Sequence, residues 1–448
     1  MKTILKGLAA LAVSGVMAVV LLPFASCKTV EEEPIKLSAL KTQGELIVNE
    51  EGETVYLRGV NAGGLFVIEQ WMTGFKNVQN EEGTLICRDH KTTTKAFIER
   101  FGEKKAQELW SEYQKNWWSE QDFQNCADMG MNVIRLPFTY MNVDFDAISS
   151  YDDAGIIYDF TALEDFVQTA AKYGMYTILD LHGAYGSQNG QDHSGEVISP
   201  AASVDFYSNE KMQTLTVNLW RELAYHFKDN PNVAAYDLLN EPGEKKDEGG
   251  TQSTSKRHWD FMDKAYKAVR EEDENHIVVF ESCWEGNNLP KPSLYGWENC
   301  MYSFHHYSGQ TSNAEAHNRS MDNKISNVTA QKFGIPIQLG EFNCYSTEES
   351  WDYSLQTLND NGWHWTSWTY KVNNSWGNSG WGIYYTEAKS VDPLYDQEEE
   401  ILQKWKDIRT DEDTKKCTFE SGRTLFEIMR KYCPGTVKGT DEKSSDKK

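Results

Sequence analysis

Three observations predict a (β/α)8 barrel, the TIM fold of class α/β, built as a single catalytic domain. Eight short β-rich runs recur along the chain, most of them separated by segments whose apolar residues fall three and four apart. Strands alternating with helices mean parallel strands joined by crossovers. Seven of the eight runs end on polar or aromatic residues, and a barrel gathers the C-terminal ends of its strands on one rim.

Taken in chain order, the first element is an address. Lys2 and Lys6 precede an apolar stretch from Leu8 to Leu22, and "PFASC" sets small residues before Cys27. That pattern reads as an export signal over residues 1–26. A cysteine at the first mature position resembles a bacterial lipoprotein signal, which implies lipid on Cys27 and a cell-surface or periplasmic location. An ordinary cleaved signal or a single anchor are the alternatives, although the stretch is short for the ~20 residues of a span. Residues 27–40, "CKTVEEEPIKLSAL", read as a tether, residues 41–434 as the barrel domain, and residues 435–448, poor in apolar side chains, as a disordered polar tail.

The eight runs are "TVYLRGVN" from Thr54, "NVIRLPF" from Asn132, "YTILDLHG" from Tyr176, "VAAYDLLNEP" from Val233, "IVVFES" from Ile277, "MYSFHHY" from Met301, "IPIQLGEF" from Ile335 and "WHWTSWTYK" from Trp363. "ALEDFVQTAAKYG" and "RHWDFMDKAYKAVREEDEN" carry helical periodicity, and Gly130 and Gly174 stand where helix C-caps belong. The segment before Asn132, with Trp110, Tyr113, Trp117 and Trp118, is expected to pack a helix under the barrel. Pro242 is expected to end the fourth strand because it donates no ladder hydrogen bond. Seven cysteines follow Cys27, an odd number; Cys417 and Cys433 are close enough to staple the last helix.

The residues predicted at the rim are Asn61, Arg135, His182, Asn240 with Glu241, His305 with Tyr307, Glu341 and Trp368. Two carboxylates beside an arginine, histidines and tryptophans suit glycosidic bond cleavage. One carboxyl must donate a proton to the leaving oxygen, and the other must be ionised to attack the sugar or activate water. Arg135 suits the ionised partner, Glu341, while Glu241 in a drier setting holds its proton. Trp368 offers a flat face to a sugar ring, and Asn240 can bond its 2-hydroxyl. His306 should face away from His305, which makes the pair a poor metal site. His364 and Trp365 read as barrel interior. Trp284 and Glu285 either line a subsite or cover a loop.

At these residues the chain resembles glycoside hydrolase family 5, from about residue 44 to 372. The family's asparagine-glutamate-proline motif matches "LNEP", which implies that Glu241 is the acid/base. Its strand-seven nucleophile matches Glu341 in "IQLGEF". Its arginine, strand-three histidine, histidine-x-tyrosine and strand-eight tryptophan fall on Arg135, His182, His305 with Tyr307, and Trp368. The resemblance implies double displacement with retention through a covalent glycosyl-enzyme, and no metal or organic cofactor. "DLHGAYGSQNGQDHSG", "LRGVNAGGLFVIEQWM" and the lead-in "AFIERFGEKKAQELWSEYQKNWWSEQDFQNCADMGMNVIRLPF" are similar to the exo-β-1,3-glucanase branch, where Glu69 and Trp71 fall on sugar-contacting positions. Glu69 as a member of a structural ion pair is the alternative. "WTSWTYKVNNSWGNSGWGIYY" follows its own pattern, so linkage and exo action stay open.

Composition narrows the partners. With 68 acidic against 44 basic residues the formal net charge is −24, which disfavours nucleic acid and anionic lipid surfaces. A neutral polymer suits it better. The expected partner is a β-glucan or oligosaccharide, with membrane contact only through lipid on Cys27 and the chain acting as a monomer. An endo-β-1,4-glucanase or mannanase is the enzyme alternative, and a non-catalytic surface sugar-binding lipoprotein the alternative of another class.

Overall fold

The computed structural model describes residues 36–80, 82–83, 85–151, 155–200, 203–243, 256–282, 285–309, 313–374, 377 and 379–433. The expected export segment, Cys27 with residues 28–35 of the tether, Cys283, Trp284 and the tail 435–448 lie outside them. Eight parallel strands close a barrel: β1 (Arg58–Asn61), β2 (Val133–Thr139), β3 (Tyr176–Gly183), β4 (Val233–Asp237), β5 (Ile277–Ser282), β6 (Cys300–Tyr307), β7 (Ile337–Asn343) and β8 (His364–Ser367). Each pairs with the next in sequence, and Trp365 to Ser367 of β8 pair with Arg58 to Val60 of β1. All eight coincide with the runs expected from the sequence, three of them reaching one residue further, to Thr139, Cys300 and Asn343. β2 to β5 are buried at every position, as strands covered on both faces must be.

Amphipathic helices cover the outside. The helix Thr161–Lys172 buries Leu163, Phe166, Val167, Ala170 and Ala171, a stripe of three- and four-residue steps. The chain leaves this helix through Gly174 (φ 76°), and the helix Glu120–Asp128 through Gly130 (φ 78°), left-handed positions that glycine takes without a Cβ penalty. Between β5 and β6 the described connection is made of short 3-10 turns, Gly286–Asn288 and Pro292–Leu294.

Several local expectations need correction. The helix Glu103–Trp117 does not lie under the barrel. Trp117 Nε1 donates to Gly63 O (2.9 Å) and Tyr113 OH to Gly64 O (2.6 Å), so it buttresses the segment that leaves β1 at the C-terminal rim. Both rings are buried, each stabilising the fold by about 1.5–3 kcal/mol. The opposite end of the barrel is closed by Leu57, Val133, Ile178, Ala235, Ile277 and Met301, packed with Leu40 and Ile47 from the N-terminal hairpin Lys41–Gln43/Leu46–Val48. Ordered packing begins before residue 41: Leu37 N donates to Asn232 Oδ1 (2.9 Å) and Tyr176 OH to Ser38 O (2.7 Å). The last part of the expected tether is therefore docked. Trp365 points outward, donating to Asn359 Oδ1 (3.0 Å) on the helix Glu348–Asp360, while buried His364 accepts from Leu57 N (2.9 Å). Cys417 and Cys433 are free thiols, as are Cys87, Cys126, Cys300 and Cys344. Burial pushes the Cys417 thiol up to about 11.

Candidate active site

β4 ends at Asp237, five residues before Pro242. Single ladder bonds still follow, from Leu238 N to Val279 O (3.2 Å) and from Asn240 N to Leu181 O (3.0 Å). The turn comes at Glu241 (φ 42°), not at the proline. Glu241 N donates to Glu281 Oε1 (2.6 Å), so a carboxylate on β5, rather than a missing N–H at Pro242, fixes where Glu241 points.

The buried Arg135 guanidinium on β2 organises the rim. It donates to Glu341 Oε1 (3.0 Å), Asp237 Oδ2 (2.9 Å), Glu281 Oε2 (3.2 Å), Asn240 Oδ1 (2.9 Å) and Asn61 Oδ1 (3.1 Å), and lies 3.1 Å from Asp180 Oδ1. With its oxygen held by Arg135, the Asn240 amide nitrogen faces His182 Nε2 (3.3 Å), while His182 Nδ1 meets Asp180 Oδ2 (2.6 Å). Those partners put the single ring proton on Nδ1. Burial drives the His182 pKa down to about 3, so the ring is neutral. It stacks under Trp368 with centroids 5.5 Å apart and planes 8° apart.

Glu241 and Glu341 meet at His305. Its Nδ1 lies 3.0 Å from Glu241 Oε1 and 3.3 Å from Glu341 Oε2, and its Nε2 lies 3.3 Å from Glu281 Oε2. Both ring nitrogens face acceptors. Burial alone would lower its pKa, but Glu281, Glu341 and Glu241 outweigh that and hold it well above the ordinary histidine value. Tyr307 OH donates to Glu341 Oε2 (2.8 Å). Oxygens of Glu241 and Glu341 approach within 4.8 Å.

Dryness does not keep Glu241 protonated, as the sequence led us to expect. Burial pushes its carboxyl up, yet His193 and His305 at its two oxygens pull harder, and the carboxyl is held well below the usual range. His193 Nε2 is 3.2 Å from Glu241 Oε2.

A cavity of about 300 Å³ opens over this pair, lined by Glu69, Trp71, His182, His193, Asn240, Glu241, Tyr307, Glu341, Trp368 and Trp381. Trp71 donates Nε1 to Glu69 Oε2 (2.8 Å) and meets Trp381 edge-on at 4.9 Å. A larger groove between Trp110 and Asp165 contains neither carboxylate of the pair.

The structure thus brings together Arg135, His182, Asn240, Glu241, His305, Tyr307, Glu341, Trp368, Glu69 and Trp71, while Cys27 lies outside the described residues. Exposed Glu285 does not line the cavity. Sequence reasoning missed Glu281, Asp180, Asp237, His193 and Trp381. The terminal "ES" of "IVVFES" was the available signal for Glu281, since every other run had a polar residue at its end. Trp381 and His193 arrive on loops, for which no periodicity exists. Two trios bring carboxylate oxygens and a ring nitrogen within 4.8 Å of one another: Glu69, Asp192 and His193, and Glu241, His305 and Glu341. In the second, His305 Nδ1 faces two carboxylates as a donor, which removes its lone pair.

Two carboxylates brought to one histidine nitrogen, at 3.0 and 3.3 Å, suit glycoside hydrolysis with retention, which needs its carboxyl groups close, ~5–5.5 Å apart. The chain belongs to the cellulase family, glycosyl hydrolase family 5, whose family model matches residues 92–374. It is 29% identical over 278 residues to a beta-xylosidase of Phanerodontia chrysosporium, covering 61% of this chain and 52% of that protein. It is also 29% identical over 255 residues to probable glucan 1,3-beta-glucosidase A of Aspergillus fumigatus, covering 56% and 55%. The chain spans about half the length of these curated relatives. Rutinosidase from Aspergillus niger shares the fold with a TM-score of 0.54 at 15% identity, over 77% of this chain and 94% of that one. Endo-glycoceramidase II from Rhodococcus sp. does so with a TM-score of 0.51 at 20% identity, over 79% and 81%.

Proposed function

We propose that this protein hydrolyses β-glucosidic bonds of a β-glucan, removing sugar from a chain end, with retention of configuration. The observation that carries the reading is the approach of Glu241 and Glu341 within 4.8 Å around His305. Glu341, oriented by Arg135 and Tyr307, attacks the anomeric carbon. The bond to the leaving oxygen breaks with its electron pair, and that oxygen takes a proton from Glu241. Glu241 then accepts a proton from water as the water oxygen bonds to the anomeric carbon and the Glu341 ester bond breaks. His182 and Trp368 form one wall of the sugar site, and Asn240 is placed for the 2-hydroxyl. A cavity of about 300 Å³ walled by Trp71 and Trp381 is at the small end for a ligand site and suits a chain end better than a chain interior.

A product time course on laminarin, mixed-linkage glucan, carboxymethyl cellulose and mannan tests this. Glucose as the sole early product from laminarin is expected. A ladder of oligosaccharides from the other polymers would move the reading to an endo-glucanase or mannanase, and binding without turnover would move it to a sugar-binding protein.

Export and anchoring through Cys27 belong to the same proposal, supported by Lys2, Lys6, the apolar run and the small residues before Cys27. Among the described residues no helix is long and apolar enough to cross a membrane. Labelled palmitate should enter the wild-type chain in a bacterial host and not Cys27→Ser; equal labelling refutes the anchor. The catalytic unit is proposed to act as a monomer, which light scattering checks.

A further inference from the structure

His193 lies in the 3-10 turn Asp192–Ser194 on the loop after β3. This loop is tied to the catalytic end of the barrel. Gln188 Nε2 donates to His182 O (2.9 Å) and Asn240 O (2.8 Å), and Ala184 N donates to Gln188 Oε1 (3.0 Å). Ser187 and Ser194 hydroxyls meet at 2.5 Å. The His193 ring is thereby held against Glu241 Oε2 at 3.2 Å, while the other oxygen of Glu241 is taken by buried His305.

We propose that His193 is the proton partner of Glu241, its Nε2 and Glu241 Oε2 sharing the one proton that the acid/base delivers to the leaving oxygen. The proposal rests on the glycosidase reading for the use of that proton, though not for its place. His193 is a positioning residue in this account, acting through Glu241.

Opposed pulls on His193 support the sharing. Besides Glu241 it faces Asp192, whose Oδ1 is 4.0 Å from Nδ1, and Glu69, whose carboxylate falls within the same 4.8 Å trio. The neutral His182 ring stands edge-on at 6.2 Å. Glu241, Glu69 and Asp192 favour a proton on the ring and, although burial lowers its pKa, raise it to about 10, while burial and Asp192 push the Glu69 carboxyl itself up to about 8. Asn189 pulls the other way. Its Oδ1 accepts from Gln191 N (3.0 Å) and its Nδ2 donates to Glu241 O (3.3 Å), so the N–H side also faces His193 Nε2 at 2.9 Å. A donor there competes for the ring lone pair and favours the proton on Glu241. The ring keeps the proton against this pull, and the pair titrates as a unit.

This answers a difficulty in the mechanism. A carboxyl flanked by two histidines is ionised and has no proton to give unless one of them returns it. In glycosylation the proton leaves the pair for the leaving oxygen as that oxygen's bond to the anomeric carbon breaks. In deglycosylation a proton from water restores the pair.

The test has two readouts on the full chain. In long-range 1H–15N spectra of protein labelled at its 10 histidines, with His193→Asn identifying the signal, the His193 ring should keep its extra proton above pH 8. In Glu241→Gln it should fall by at least one pH unit. A wild-type ring titrating at about 6.5, the ordinary value, overturns the proposal. For activity, His193→Asn should move the alkaline limb of kcat/KM at least one pH unit toward acid. Its kcat/KM on alkyl β-glucosides should fall at least tenfold, with little change on 2,4-dinitrophenyl β-glucoside, whose leaving group needs no proton. An unmoved alkaline limb, or equal losses on both substrates, overturns it. Failure to hydrolyse any β-glucoside, with the spectra as expected, would remove the glycosidase reading and leave the shared proton standing.

Discussion

Around Arg135 one guanidinium is set against Asp180, Asp237, Glu281 and Glu341 in a dry interior. Four ionised carboxylates there would repel strongly. Burial, with repulsion from the neighbouring carboxylates, pushes Asp180 and Asp237 well above the usual range despite Arg135. Glu281 has a different task, since its two oxygens face only donors: Glu241 N, Arg135 Nη2 and His305 Nε2. Glu281→Gln puts an amide N–H against one of those donors. We predict a loss of about 1–3 kcal/mol in stability and a fall in kcat of at least tenfold with KM changed much less. Denaturant unfolding and steady-state kinetics check both, and a wild-type kcat would show that Glu241 is held by other means. His182, Asn240, Glu241, His305, Tyr307 and Glu341 were legible in the sequence because each stands near or just beyond a strand end, and Arg135, inside β2, through the family resemblance. Glu281 has the same placement, but no motif distinguishes it. The protonation of Glu241 was not legible, because His193 reaches it from a loop.

The elements that feed the rim are held by close backbone packing and by ion pairs far from the chemistry. At Gly183, where β3 turns into the His193 loop, a Cβ would come 2.2 Å from Ser194 O, so only glycine lets the loop fold back over the strand end. On the outer face the helix Leu425–Tyr432 is clamped to the helix Glu348–Asp360 through Asp352. Its carboxylate accepts from Arg423, Lys431 Nζ (2.9 Å) and Tyr432 OH (2.7 Å). Burial opposes ionisation, but these bonds win and hold Asp352 at about 2. Because this lies below the unfolded value of ~3.9, the clamp stabilises above pH 4 and fades as pH falls toward 2. Asp352→Asn should lower the melting temperature by about 1–3 °C at pH 6, and by less at pH 3. A loss that grows toward acid would contradict the clamp. The barrel strands and the helix ends at Gly130 and Gly174 were readable because period and punctuation are local. The placement of the Trp117 helix and the docking of Leu37 depend on tertiary packing, which the local pattern does not encode.

At the scale of the whole molecule, a closed barrel lets eight separate strands deliver one or two side chains each to a common rim, so residues from Asn61 to Trp368 become neighbours. The fold alone would not name a reaction; the acid pair does. The central claim is that Glu341 is the nucleophile of a β-glucosidase-type double displacement. The most direct measurement is incubation with 2,4-dinitrophenyl 2-deoxy-2-fluoro-β-glucoside, followed by intact mass and peptide mapping. The account predicts one fluoroglucosyl ester, on Glu341, that forms with burst release of dinitrophenol and is absent in Glu341→Gln. Turnover without a trapped ester, or a label on any other residue, would contradict it.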